Sequence, residues 1–127
     1  MNRDLPRHRI RIIVALFLPV VYLAGPPVFA HAFPERSDPH VGARLKVPPR
    51  LITIWFDAGI EPVFSHLIVR SRQGQKVSIG NGFIPKGSHT ILETRLRPIG
   101  PGVYFVYWSV IAFDGHHTEG RWYFRVR

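Results

Sequence analysis

The sequence predicts an all-β sandwich of short strands behind a cleaved N-terminal segment. Three observations lead there. Twelve Pro and 11 Gly punctuate the chain, long helix-forming runs are absent after the first thirty residues, and the apolar residues fall into short β-branched and aromatic runs that stop at turn signals. A hydrophobic fraction of 46% with 13% aromatics suffices for one compact core. With 127 residues there is room for one small domain, and two-domain enzymes are excluded.

The first thirty residues are read apart from the fold. Met1 to Arg11 is basic, residues 12–24 are an apolar run, and Val28-Phe29-Ala30 places small or aliphatic residues where a signal peptidase cuts. A membrane-spanning helix needs roughly 20 apolar residues, and Pro19 with Gly25-Pro26-Pro27 interrupts this run. Residues 1–30 are therefore expected to be a secretory signal, with an uncleaved anchor as the alternative. The mature domain is then 31–127 and begins with His31.

The strands follow in order. A polar, Pro-containing stretch, 33–49, is expected to hold at most a short strand near 41–45. Leu51-Ile52-Thr53-Ile54-Trp55-Phe56 is a strand ending at Asp57-Ala58-Gly59. Residues 64–71 form another, stopping at Gln73-Gly74, and 76–79 follows at hairpin distance. Gly80-Asn81-Gly82 and Pro85-Lys86-Gly87 read as loops, and 90–95 alternates its side chains up to the Pro98-Ile99-Gly100-Pro101-Gly102 turn. Residues 103–112, apolar on both faces, suit a central strand on which the core is centred. The last strand, 120–127, points Trp122, Phe124 and Val126 inward and Arg121, Tyr123 and Arg125 outward. About seven short strands at this spacing suggest an immunoglobulin-like Greek-key β-sandwich.

Charge and cysteine content narrow the chemistry. The formal net charge is +9, about +6 of it in the mature domain. Along the chain the basic residues stand singly rather than in clusters, which reads as a solvated face. No nucleic-acid partner is expected, and weak association with an anionic membrane surface is consistent with the charge. The absence of cysteine removes disulfides, thiolate metal sites and cysteine nucleophiles.

A mature chain starting at His31 offers two nitrogens from one residue, the α-amine and the imidazole Nδ1, which close a chelate ring on a metal. Asp114-Gly115-His116-His117 lies in the loop between the two strongest strands. On an extended backbone, residues two apart project to one side about 6 to 7 Å apart, so Asp114 and His116 can converge on one ion, while Gly115 lets the chain bend. If His31 reaches them, the donor set is nitrogen-rich with one carboxylate oxygen and no sulfur, which favours Cu(II). The alternative is an Asp-Gly hairpin turn with solvent-facing histidines. His40, His66 and His89 are isolated and read as surface residues, His40 being the nearest accessory candidate. Tyr104, Tyr107, Trp108 and Trp122 read as core.

His31-Ala32, Asp38-Pro39, Gly42, Ile54-Trp55-Phe56, Gly102-Val103-Tyr104, Trp108, Asp114-Gly115-His116, Gly120 and Phe124-Arg125-Val126 together resemble the CopC copper-resistance family over essentially the whole mature chain. The resemblance implies a periplasmic Cu(II)-binding β-sandwich, with one ion held by His31, Asp114 and His116. His117 falls where the family requires no ligand. Two departures stand out. The only methionine is Met1, so the methionine-rich Cu(I) site of some members is not expected. Where the family often carries a Glu after the first long strand, this chain has Asp57-Ala58-Gly59, leaving Asp57 or Glu61 to support His31.

The expected function is copper sequestration, resistance or delivery to an inner-membrane copper transporter, without turnover. Two other readings compete. A copper-brace enzyme like the lytic polysaccharide monooxygenases needs open coordination positions and a broad substrate face, but Asp114 would take one position and about 97 residues leave little room. A metal-free immunoglobulin-like interaction module is the other, in which His31, Asp114 and His116 never meet.

Overall fold

The computed structural model describes residues 31–127. The secretory signal expected over 1–30, and its cleavage after Ala30, lie outside the described residues. Eight strands follow, β1 Pro34–Asp38, β2 Arg44–Leu45, β3 Leu51–Phe56, β4 His66–Ser71, β5 Ser78–Phe83, β6 Ile91–Leu96, β7 Gly102–Ile111 and β8 His117–Val126. They form two four-stranded sheets, ordered β1-β3-β6-β5 and β2-β8-β7-β4. The all-β sandwich expected from the sequence is the fold observed.

Alternation decides which side chains meet between the sheets. In β8, Trp122, Phe124 and Val126 are buried while Arg121, Tyr123 and Arg125 face water. Leu92, Thr94 and Leu96 of β6 and Ile52 and Ile54 of β3 close the core from the other sheet. Phe124 is fully buried and stacks on Tyr104 at 5.5 Å between ring centroids. Of the four aromatics expected in the core, Tyr104 and Trp122 are buried, whereas Tyr107 and Trp108 are half-buried.

Several local expectations differ from the structure. β1 arises within the stretch read as non-strand, because Pro34-Glu35-Arg36-Ser37-Asp38 is an edge strand exposed along most of its length and held by pairing with β3. The expected strand 64–71 begins at His66, since Pro62–Phe64 forms a 3-10 turn. The hairpin expected between β4 and β5 exists only at its tip, where Val77 N–H donates to the Val69 carbonyl. There the chain crosses to the other sheet, and Ser78 Oγ accepts the Val69 N–H at 3.0 Å in place of a ladder partner. β5 also runs through Gly80-Asn81-Gly82, with an irregular register against β6 between Ile79 and Phe83.

β7 and β8 form the longest pair, in register from Gly102 opposite Val126 to Ile111 opposite His117. Trp108 crosses this hairpin over Gly120, where a Cβ would stand 2.8 Å from Trp108 Cζ2, and its ring meets Phe56 edge-on at 5.5 Å. Gly120→Ala must displace the indole. We predict a loss of about 1–3 kcal/mol for such overpacking, seen as a lower midpoint in thermal unfolding; an unchanged midpoint would show that the indole moves freely.

Candidate metal centre

The turn between β7 and β8 builds half of the centre. Ala112 N–H donates to the His116 carbonyl at 2.9 Å and Gly115 N–H to the Ala112 carbonyl at 2.8 Å, closing a tight loop. Gly115 sits at φ 86°, a conformation that favours glycine. Asp114 Oδ1 accepts the His116 backbone N–H at 3.0 Å, and Oδ2 lies 3.1 Å from His116 Nδ1. Asp114 and His116 thus converge through a turn locked by the aspartate itself, not through the extended backbone that the sequence suggested.

His31 arrives from the other end of the chain. Ala32 is fully buried, and its carbonyl accepts the Thr118 hydroxyl at 2.6 Å. Phe33 donates its N–H to Asp57 Oδ1 at 2.7 Å, and Asp57 N–H returns a bond to the Phe33 carbonyl at 3.0 Å. These contacts fix the backbone on both sides of Ala32 and set the His31 ring 4.4 Å from that of His116, centroid to centroid. One ligand atom each from His31, Asp114 and His116 lies within 4.8 Å of the others. Donors about 2 Å from a common ion stand within about 4 Å of one another, so small side-chain rotations would bring all three onto one ion.

The charge balance suits a cation. The Asp114 carboxyl is held below its usual value of 3.8, first by the His116 backbone N–H, with desolvation opposing, and then by the His116 ring and the charges of His116 and His31. A carboxylate with a lowered pKa contributes stability above pH 3.8 that is lost as pH falls through the depressed value. In the metal-free protein, the Asp114 carboxyl carbon should therefore titrate by NMR with a midpoint below 3.8. His116→Ala, which keeps the backbone N–H, should recover only part of that displacement, and complete recovery would contradict the assignment of the main cause.

The other candidates separate cleanly. Asp57 supports the His31 segment through the Phe33 N–H, a role left open between Asp57 and Glu61 by the sequence. Glu61 instead accepts the Ser65 hydroxyl on its carbonyl and donates its N–H to Ile111. His117 turns away onto Ser109 Oγ, at 2.8 Å, with Glu119 3.8 Å distant. His40 lines a separate groove with Trp108 and Trp122. The residues missed by the sequence reading are Thr118 and Ala32, whose hydrogen bond joins positions 86 apart; nothing local marks such a contact.

The family model of the CopC domain matches residues 34–127. The chain belongs to the CopC family. The copper transport protein CutJ of Bacillus subtilis is 33% identical over 115 residues, 90% of this chain and 21% of CutJ. The chain thus spans about a fifth of that relative's length. Protein YobA of Escherichia coli is 27% identical over 89% of this chain and 92% of its own length. The crystal structure of CopC from Methylosinus trichosporium OB3b is similar with a TM-score of 0.71 and 25% identity, covering 76% of this chain and 93% of that one. PcoC of Escherichia coli, described as a methionine-rich copper resistance protein, shares the fold with a TM-score of 0.67 at 20% identity, over 77% of this chain and 100% of that one.

Proposed function

We propose that the chain, once cut after Ala30, carries one Cu(II) ion through the α-amine and imidazole of His31, the carboxylate of Asp114 and the imidazole of His116. The observation that carries this reading is the convergence of these three residues, from the two ends of the domain, within 4.8 Å. Membership of the CopC family and the copper-related names of CutJ and PcoC support copper as the cargo. Imidazole, amine and carboxylate without sulfur suit Cu(II), which also heads the divalent affinity order. With Met1 as the only methionine, a thioether Cu(I) site is not part of the proposal.

The chemistry is capture and release rather than turnover. Four donors would fill an equatorial plane, and binding the ion would release to solvent whatever protons the amine and imidazoles carry. Asp114 enters already ionised. The protein would act in the periplasm, in copper sequestration and resistance or in delivery to an inner-membrane copper transporter.

Residues 31–127 with a native His31 terminus, titrated with Cu(II) against a competing chelator, should take up one ion per chain. Electron paramagnetic resonance should show a tetragonal centre with nitrogen couplings. Binding that does not saturate at one equivalent, or a spectrum of oxygen donors alone, would overturn the proposal.

A further inference from the structure

The basic residues that stand singly along the sequence are gathered by the fold. Every strand runs between the end that carries His31, Asp114 and His116 and an opposite end, so register assigns each charge to one or the other. The opposite end comprises residues 43–51, 70–78, 95–105 and 123–127, since Arg95 pairs with Leu51 and Ile79, and Arg125 with Arg44 and Val103. Ten of the thirteen Lys and Arg residues in 31–127 lie in these four segments, and no Asp or Glu does. The carboxylates Asp57, Glu61, Asp114 and Glu119 sit toward the metal end instead. Among the described residues no Lys or Arg lies within 4.0 Å of a carboxylate.

The cationic end also exposes apolar side chains. Val47 is 77% exposed and Ile79 54%, and Leu51 faces solvent beside them. Val47 sits between Lys46 and Arg50 in the connection before β3, with Pro48 and Pro49 beside it. Arg97 opens the facing connection. Cations spread over several loops, with apolar side chains among them, match a broad anionic layer that has hydrocarbon beneath it.

We infer that this end is a docking surface for an anionic phospholipid bilayer. Docked so, the domain stands with its metal end toward water. The inference does not depend on copper, and the metal-free protein tests it.

Residues 31–127 bury a core among themselves and are suited to cosedimentation at low ionic strength. The vesicles are equal parts phosphatidylglycerol and phosphatidylcholine, or phosphatidylcholine alone. Binding should be confined to the anionic vesicles and fall with added salt. Arg50→Gln with Arg97→Gln removes two charges from the cationic end, and Lys86→Gln with Arg121→Gln removes two from elsewhere; all four side chains are exposed. At roughly five-fold per charge near the surface, the first pair should lower partitioning about 25-fold and the second much less. Equal losses would show that net charge alone acts and would overturn the inference. So would equal binding to both kinds of vesicle, or none to either, the latter being the result expected if an acidic protein is the partner.

Discussion

Acetylation of the His31 α-amine should weaken Cu(II) binding by roughly 100-fold or more. The acetyl group turns the amine into an amide and supplies no new amine beyond it, so the chelate ring of amine and imidazole cannot form. The imidazole stays where it was, because Ala32 is buried and held by Thr118 and Phe33 is held by Asp57. The loss therefore belongs to the amine. If a four-donor site is worth about 10–16 kcal/mol, one donor is worth about 3 kcal/mol, or roughly 100-fold. Parallel titrations of the two forms against the same chelator measure it, and equal affinities would falsify the N-terminal chelate.

The second large effect contrasts two adjacent histidines. His116→Ala removes a ligand and a partner of Asp114, and should cost roughly 100- to 1,000-fold in affinity. His117→Ala removes a side chain directed at Ser109, and should change affinity by less than about three-fold, the ordinary scale of a surface substitution. The backbone turn survives both changes, since its bonds run between Ala112, Gly115 and His116 main-chain atoms. Comparable losses in the two variants would mean that the turn, rather than the His116 ring, governs binding.

Strands that pack were legible in the sequence, and strands that merely pair were not. Burial writes the alternation of β6 and β8 directly into their residues. β1 has no such pattern because it lies at a sheet edge, and only Ser37 of its five residues is even half-buried. The hairpin expected at β4 and β5 was correct for its turn and wrong for its sheets, since a change of sheet between Val77 and Ser78 leaves no local mark. At the centre, Asp114-Gly115-His116 was visible as a loop motif. Its link to His31 rests on a contact between the two ends of the chain, which the CopC resemblance implied and periodicity could not. The basic residues carried the opposite lesson, being dispersed in sequence and gathered only by strand register.

The hydrogen bond from Thr118 to Ala32 joins residues 86 apart, in a chain with no cysteine to tie its ends covalently. An ion shared by His31 and His116 would span almost the same interval, so the cargo would also be a removable cross-link. In a chain-entropy description, closing loops of that length permanently is worth about 4 to 5 kcal/mol, and a bound ion would restrict the ends in the same sense for as long as it stays. Release would then loosen an edge strand as well as empty a site, and the affinity for copper and the fastening of β1 would be set by one equilibrium.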